Sequence, residues 1–97
     1  MIEYKIEAKV FLKHITAAEL IMGKVKYDFP IVAFQTEATL DGVILIISFT
    51  DFYDDLEEEK RTINLLAKSI SYPFDSECQP KVTICVKPLV YEHYYEF

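Results

Sequence analysis

The stretch "IVAFQTEATLDGVILIISFT", residues 31 to 50, constrains the fold more than any other part of the chain. Two runs rich in β-branched and aromatic residues flank Asp41-Gly42, a dipeptide that suits the central positions of a type I′ turn. The twist of that turn matches the twist of paired strands, so a hairpin is expected. A two-residue loop sets Val43 opposite Leu40, Leu45 opposite Ala38, Ile47 opposite Thr36 and Phe49 opposite Phe34 on the core face. Ile44 and Ile46 then fall on the other face. A lone hairpin is marginal in water, so the rest of the chain must supply more strands or a helical cover.

Both are legible. From Ile2 to Leu12, Ile2, Tyr4, Ile6, Ala8, Val10 and Leu12 alternate with Glu3, Lys5, Glu7 and Lys9, the period of a half-buried strand. "KVTICVK" repeats that period with Val82, Ile84 and Val86 inward. Between the first strand and the hairpin, Thr16 and Glu19 have capping-box spacing, which predicts a helix from Ala17. Gly23 is placed to end it after about two turns. Residues 52 to 70 carry Tyr53, Leu56, Ile63, Leu66, Ala67 and Ile70 at three- and four-residue steps, predicting a long helix capped by Asp51 or Asp54.

The order strand, helix, strand, strand, helix, strand predicts an α+β fold. Its expected form is a single-layer, mostly antiparallel four-stranded sheet with two helices on one face, the ferredoxin-like βαββαβ plan. Ninety-seven residues with 52% hydrophobic content suit one domain spanning 1–97 and rule out a disordered chain. Residues 89–97 read as an aromatic C-terminal tail. Beyond Pro88, Leu89, Tyr91, His93, Tyr95 and Phe97 share one face, with Glu92 and Glu96 on the other, so the tail bends at a bulge or forms a separate short strand.

A formal net charge of -6 repels phosphate backbones and anionic membranes, so neither nucleic acid nor a membrane is an expected direct partner. The start "MIEYKIEAKVFLKH" lacks a secretory apolar core, and the longest aliphatic run, Val43 to Ile47, is too short to span a bilayer. A cytoplasmic protein is expected. Cys78 and Cys85 have no CxxC spacing and read as reduced thiols. With His14 and His93 they lack any familiar zinc spacing, so no metal and no cofactor are expected.

Catalytic signatures are sparse. Glycine-rich phosphate loops, the GxSxG elbow and HExxH are all missing. Acylphosphatases share the βαββαβ plan, but the phosphate-cradling loop and arginine that they need after the first strand are replaced here by "FLKHITAAE". His14 and His93 stand as possible bases for a small enzyme, a minor alternative.

Two surfaces remain as candidates. Asp51, Asp54, Asp55, Glu57, Glu58 and Glu59 crowd the start of the long helix, where the macrodipole favours acids. Their number exceeds what the dipole needs, and like charges within one turn repel, so the surplus points to a basic protein surface as partner. An acidic, non-enzymatic binding module is therefore expected, of the inhibitor or immunity type that masks a nucleic-acid-handling protein. The second candidate is an apolar interface formed by Phe11, Ile44 and Ile46 with the tail residues Tyr91, Tyr94, Tyr95 and Phe97. It would make the chain a subunit of a homodimer or another homo-oligomer.

Overall fold

The computed structural model describes residues 2–88 and 93–97. Strand β1 (Ile2–Leu12) leads into helix α1 (Ile15–Asp28), which is followed by strands β2 (Ala33–Ala38) and β3 (Val43–Tyr53). Helix α2 (Leu56–Ser71) and strands β4 (Lys81–Lys87) and β5 (His93–Glu96) complete the described chain. The sheet runs β2-β3-β1-β4-β5, and every neighbouring pair is antiparallel. The α+β plan is thus as expected, with a five-stranded sheet in place of the four strands predicted.

The fifth strand comes from the tail. Tyr95 pairs with Ile84 and His93 with Val86, while Phe97 and Val82 exchange both backbone hydrogen bonds, at 2.9 and 3.2 Å. Residues 93–97 run antiparallel to β4, so the tail takes the second of the two expected forms, a separate short strand. Leu89 and Tyr91 lie outside the described residues.

Period-two alternation does what the sequence demands. Ile6, Ala8 and Val10 of β1, Leu45 and Ile47 of β3, and Ile84 and Val86 of β4 are fully buried on one face. They meet Ala18, Ile21 and Val25 of α1 and Ile63, Leu66 and Ile70 of α2, all equally buried. The other face, with Lys5, Lys9, Phe11, Ile44 and Ile46, carries no helix and stays exposed or half-buried.

Three local expectations are corrected. The hairpin has a four-residue loop: Ala38 pairs with Val43 and Thr36 with Leu45, and the Thr39 amide donates to the Gly42 carbonyl at 2.9 Å. No described residue has positive φ, so the type I′ turn is not formed. The register moves by two residues, and because side chains alternate with period two the faces are unchanged. Gly42 serves another purpose, since a Cβ there would sit 2.0 Å from the Leu12 carbonyl oxygen; only glycine lets the turn approach the end of β1 so closely.

The second correction is α1. It begins at Ile15 behind His14, the N-cap, whose side chain makes no capping bond, so Thr16 is inside the helix and forms no capping box. The helix also runs through Gly23, because its buried stripe continues from Ala18 and Ile21 to Val25. Pro30 stops it instead, forcing Phe29 out of the helical region. A Cβ at Gly23 would meet nothing within 4 Å. Gly23→Ala is therefore expected to stabilise the protein by about 0.5–1 kcal/mol, seen as a higher urea midpoint at unchanged slope.

The third is α2, which starts at Leu56, while Phe52 and Tyr53 belong to β3. Asp55 caps it in place of Asp51 or Asp54, and Leu56 stays half-exposed.

Candidate functional site

The acidic corner is where β3 hands over to α2. Asp55 accepts a hydrogen bond from the Glu58 amide at 2.9 Å, and Glu58 Oε2 reaches back to accept from the Asp54 amide at 2.8 Å. The two carboxylates thus share the amides at the helix start in a variant of the capping box. Asp51 Oδ1 accepts from the Phe52 amide at 2.8 Å. Asp54, Asp55 and Glu57 are exposed, and Asp51 and Glu58 are partly so. Phe52 and Leu56 beside them keep 53% and 51% of their surface in water, so the corner is apolar as well as acidic.

Glu59 departs from the expected exposed row. It is 1% exposed and points at the sheet, because it is four residues before Ile63 and seven before Leu66 on the buried stripe of α2. Its Oε2 accepts a hydrogen bond from the Tyr95 hydroxyl at 3.0 Å. That contact places Tyr95 against the helix-covered face, away from the interface surface predicted for it. Tyr53 is 2% exposed and stacks obliquely on Tyr4, ring centres 5.0 Å apart. Glu59 Oε1 and the Tyr53 hydroxyl are both buried without a well-formed hydrogen bond among the described residues, the hydroxyl facing Asp51 and Thr62.

Burial, with the hydrogen bond to Glu59 and that residue's charge, pushes the Tyr95 hydroxyl up to about 12. Burial is also the main cause that raises Tyr53, assisted by Asp51 and Glu59 and partly offset by Thr62. For Tyr95 the neutral phenol is favoured in the folded state over its usual value near 10. Its contribution to stability is therefore complete below about pH 10 and lost as pH rises toward 12. Denaturation midpoints measured across that window should fall more steeply for the native chain than for Tyr95→Phe.

A shallow cleft of about 320 Å³ opens beside the corner, lined by Asp51, Phe52, Tyr53, Glu58, Arg61 and Thr62. At the opposite end of the sheet a groove of about 540 Å³ holds the exposed His14 together with Lys13, Glu77 and Cys78. The side chain of His93 lies outside the described residues. Among the described residues no three carboxylate, imidazole or thiol groups converge as a metal would require, and no helix is long and apolar enough to cross a membrane.

The predicted interface divides between the two faces. Phe11 is directly opposite Ile44 on the helix-free face, where Ile46 pairs with Lys9. Tyr94, 63% exposed, is opposite Cys85 and belongs to the same face. Phe97 is 50% exposed.

No protein-family model and no curated protein matches the chain. Its fold has solved relatives in shape. A de novo designed protein, Foldit4, is similar with a TM-score of 0.60 at 15% identity, covering 88% of this chain and 96% of that one. A second de novo design with a ferredoxin fold, LFR1 1, gives 0.52 at 18% identity over 94% and 88%. A phage SAM lyase in complex with S-methyl-5′-thioadenosine gives 0.53 at 12% identity over 98% and 88%. These likenesses identify the architecture, a ferredoxin-like α+β sheet with two helices, and nothing finer.

Proposed function

We propose that this chain is a small acidic, non-enzymatic protein-binding module whose β3–α2 corner docks on a basic protein surface, as an inhibitor or immunity-type protein does when it masks a nucleic-acid-handling partner. The observation that carries this reading is the exposure of Asp54, Asp55 and Glu57 around the half-exposed Phe52 and Leu56. Carboxylates steer a basic partner into place, and the apolar side chains supply contact that salt does not screen.

The geometry decides how to test it. Asp55 and Glu58 cap the helix and Glu59 is buried, so reversing them confounds binding with folding. Asp54→Lys combined with Glu57→Lys changes the charge of the corner without touching either. Capture from the native host's lysate should yield partners that elute with added salt and are lost with this double variant. An identical captured set from native and variant chains would defeat the proposal. Incubation with SAM checks the non-enzymatic part, since release of S-methyl-5′-thioadenosine would overturn it.

The register of Phe11 against Ile44 on a face without helices favours a second reading, a homo-oligomeric subunit. Light scattering should then report a multimer that Ile44→Lys converts to monomer. A native chain monomeric at high concentration would dispose of this reading.

A further inference from the structure

Strand β2 is an outer edge of the sheet, with β3 on one side and no strand on the other among the described residues. The Thr39 amide bonds the Gly42 carbonyl, and antiparallel pairs alternate between bonded and unbonded. In the β2–β3 register that makes Ala33, Gln35 and Glu37 the residues bonded to β3. Phe34, Thr36 and Ala38 therefore turn their amides and carbonyls outward, where no described residue meets them. Edges are ordinarily blunted by lysine, proline, a bulge or brevity. β2 contains no lysine or proline and pairs with β3 residue for residue, whereas the other edge, β5, has only four residues. Ile31 and Leu40, one beyond each end of β2, are 91% and 104% exposed.

We infer that β2 is a self-pairing edge that joins β2 of a second copy, antiparallel about a two-fold axis through Thr36, so that the two sheets become one. This register seats every outward residue: Thr36 meets Thr36 and Phe34 meets Ala38 twice, each pair exchanging both backbone bonds. Any other register sets outward groups against inward ones or carries an outward residue beyond the partner strand. The side chains agree. The half-buried Phe34 meets the small Ala38, and on the helix-free face Glu37 meets Gln35, an amide donor, and no second carboxylate. Carried past the strand ends, the same register brings Leu40 to Ile31 and Val32 of the second copy. The two most exposed large apolar side chains among the described residues thus cover each other at both ends. A strand from an unrelated protein offers no such reciprocal match. The edge is a different surface from the acidic corner and from the helix-free face, and the inference rests on neither reading above.

An interface built on one strand per copy is small beside the roughly 1,600 Å² of a standard complex, so micromolar association is expected. Each copy carries a net charge of -6, so added salt should strengthen the dimer, the reverse of docking on a basic partner. Sedimentation equilibrium up to about 1 mM reads the association, and amide hydrogen exchange reads the register. In the dimer the Phe34, Thr36 and Ala38 amides should exchange about tenfold more slowly than in dilute protein, while those of Gln35 and Glu37, already bonded to β3, change little. Thr36→Lys sets two ammonium groups against each other on the axis. The Thr36 side chain is exposed in the single chain, so this variant should weaken association by about tenfold or more without moving the unfolding midpoint of dilute protein. Gln35→Lys, opposite Glu37 twice, should tighten it by about fivefold, more than Asn64→Lys, the same charge change on α2. Ile44→Lys, which breaks an assembly through the helix-free face, should leave the edge dimer in place. The inference is overturned if the chain is monomeric at the highest concentration, which would leave the edge to a strand of another protein. It is equally overturned if Thr36→Lys associates like the native chain, or if the three outward amides exchange alike in monomer and dimer.

Discussion

Glu59→Lys is expected to lower stability by about 3–5 kcal/mol, the cost of placing an uncompensated charge where a buried one was hydrogen-bonded. The Tyr95 hydroxyl, which donates to the carboxylate in the native chain, offers an ammonium at most a neutral acceptor and leaves its charge uncompensated. Glu57→Lys, two residues earlier and exposed, should stay within about 0.5 kcal/mol of the native value. Urea unfolding of the two variants side by side makes the comparison, and equal stabilities would mean that Glu59 faces water. Glu59→Gln refines the result. It keeps the shape and an acceptor for Tyr95, so a loss of no more than about 1–3 kcal/mol is expected, the range for disturbing one buried hydrogen bond.

The second large effect belongs to Gly42. With a Cβ at 2.0 Å from the Leu12 carbonyl oxygen and 3.0 Å from Lys13 Cα, even alanine overlaps backbone, which has no rotamer to escape into. The turn or the end of β1 must move, and the Val43–Leu12 pairing at that end moves with it. A loss of about 2–4 kcal/mol is expected for Gly42→Ala, at the upper end of the range for overpacking because the obstacle is main chain. Thermal unfolding reads this directly. The contrast with Gly23→Ala is sharp, since the same substitution at the chain's other glycine should raise the midpoint.

These variants also show which physical signals the sequence carried. The strand from Ile2 to Leu12 is readable because its two faces differ in solvent exposure from Tyr4 onward, so polarity alternates as far as Val10 and only Phe11 departs from it. The stripe Ile63, Leu66, Ile70 is readable for the same reason at helical period. Gly23 misleads because a glycine marks a helix end only where the apolar stripe also stops, and Val25 shows that it does not. The Asp-Gly dipeptide misleads because a type I′ turn needs positive φ at both central residues, and here the β2–β3 pairing stops at Ala38–Val43 and the four-residue loop adopts none. The fifth strand is legible as a separate short strand from the alternation beyond Pro88, but its pairing with β4 is not, because no local pattern says which edge a short strand joins. Glu59 had a signal that its acidic neighbours hid: it continues the 63, 66, 70 spacing one step toward the amino end. The cleft had none, since Asp51, Tyr53 and Arg61 meet only once β3 and α2 are joined.

The position of β1 has a kinetic consequence. It occupies the middle of the sheet, yet β3 and β4, which flank it, come from residues 43–53 and 81–87. A nascent chain therefore holds β1 without either neighbour until residues 43–53 have been made, and the second edge of β1 closes only once residues 81–87 have followed. Contacts this distant in sequence slow the search for the native state, so refolding should take milliseconds or longer, not the microseconds of a helical bundle. Until then the exposed "IEYKIEAKVFL" ribbon is what a chaperone would shield, and its alternating charges are what keep it from pairing with its own kind.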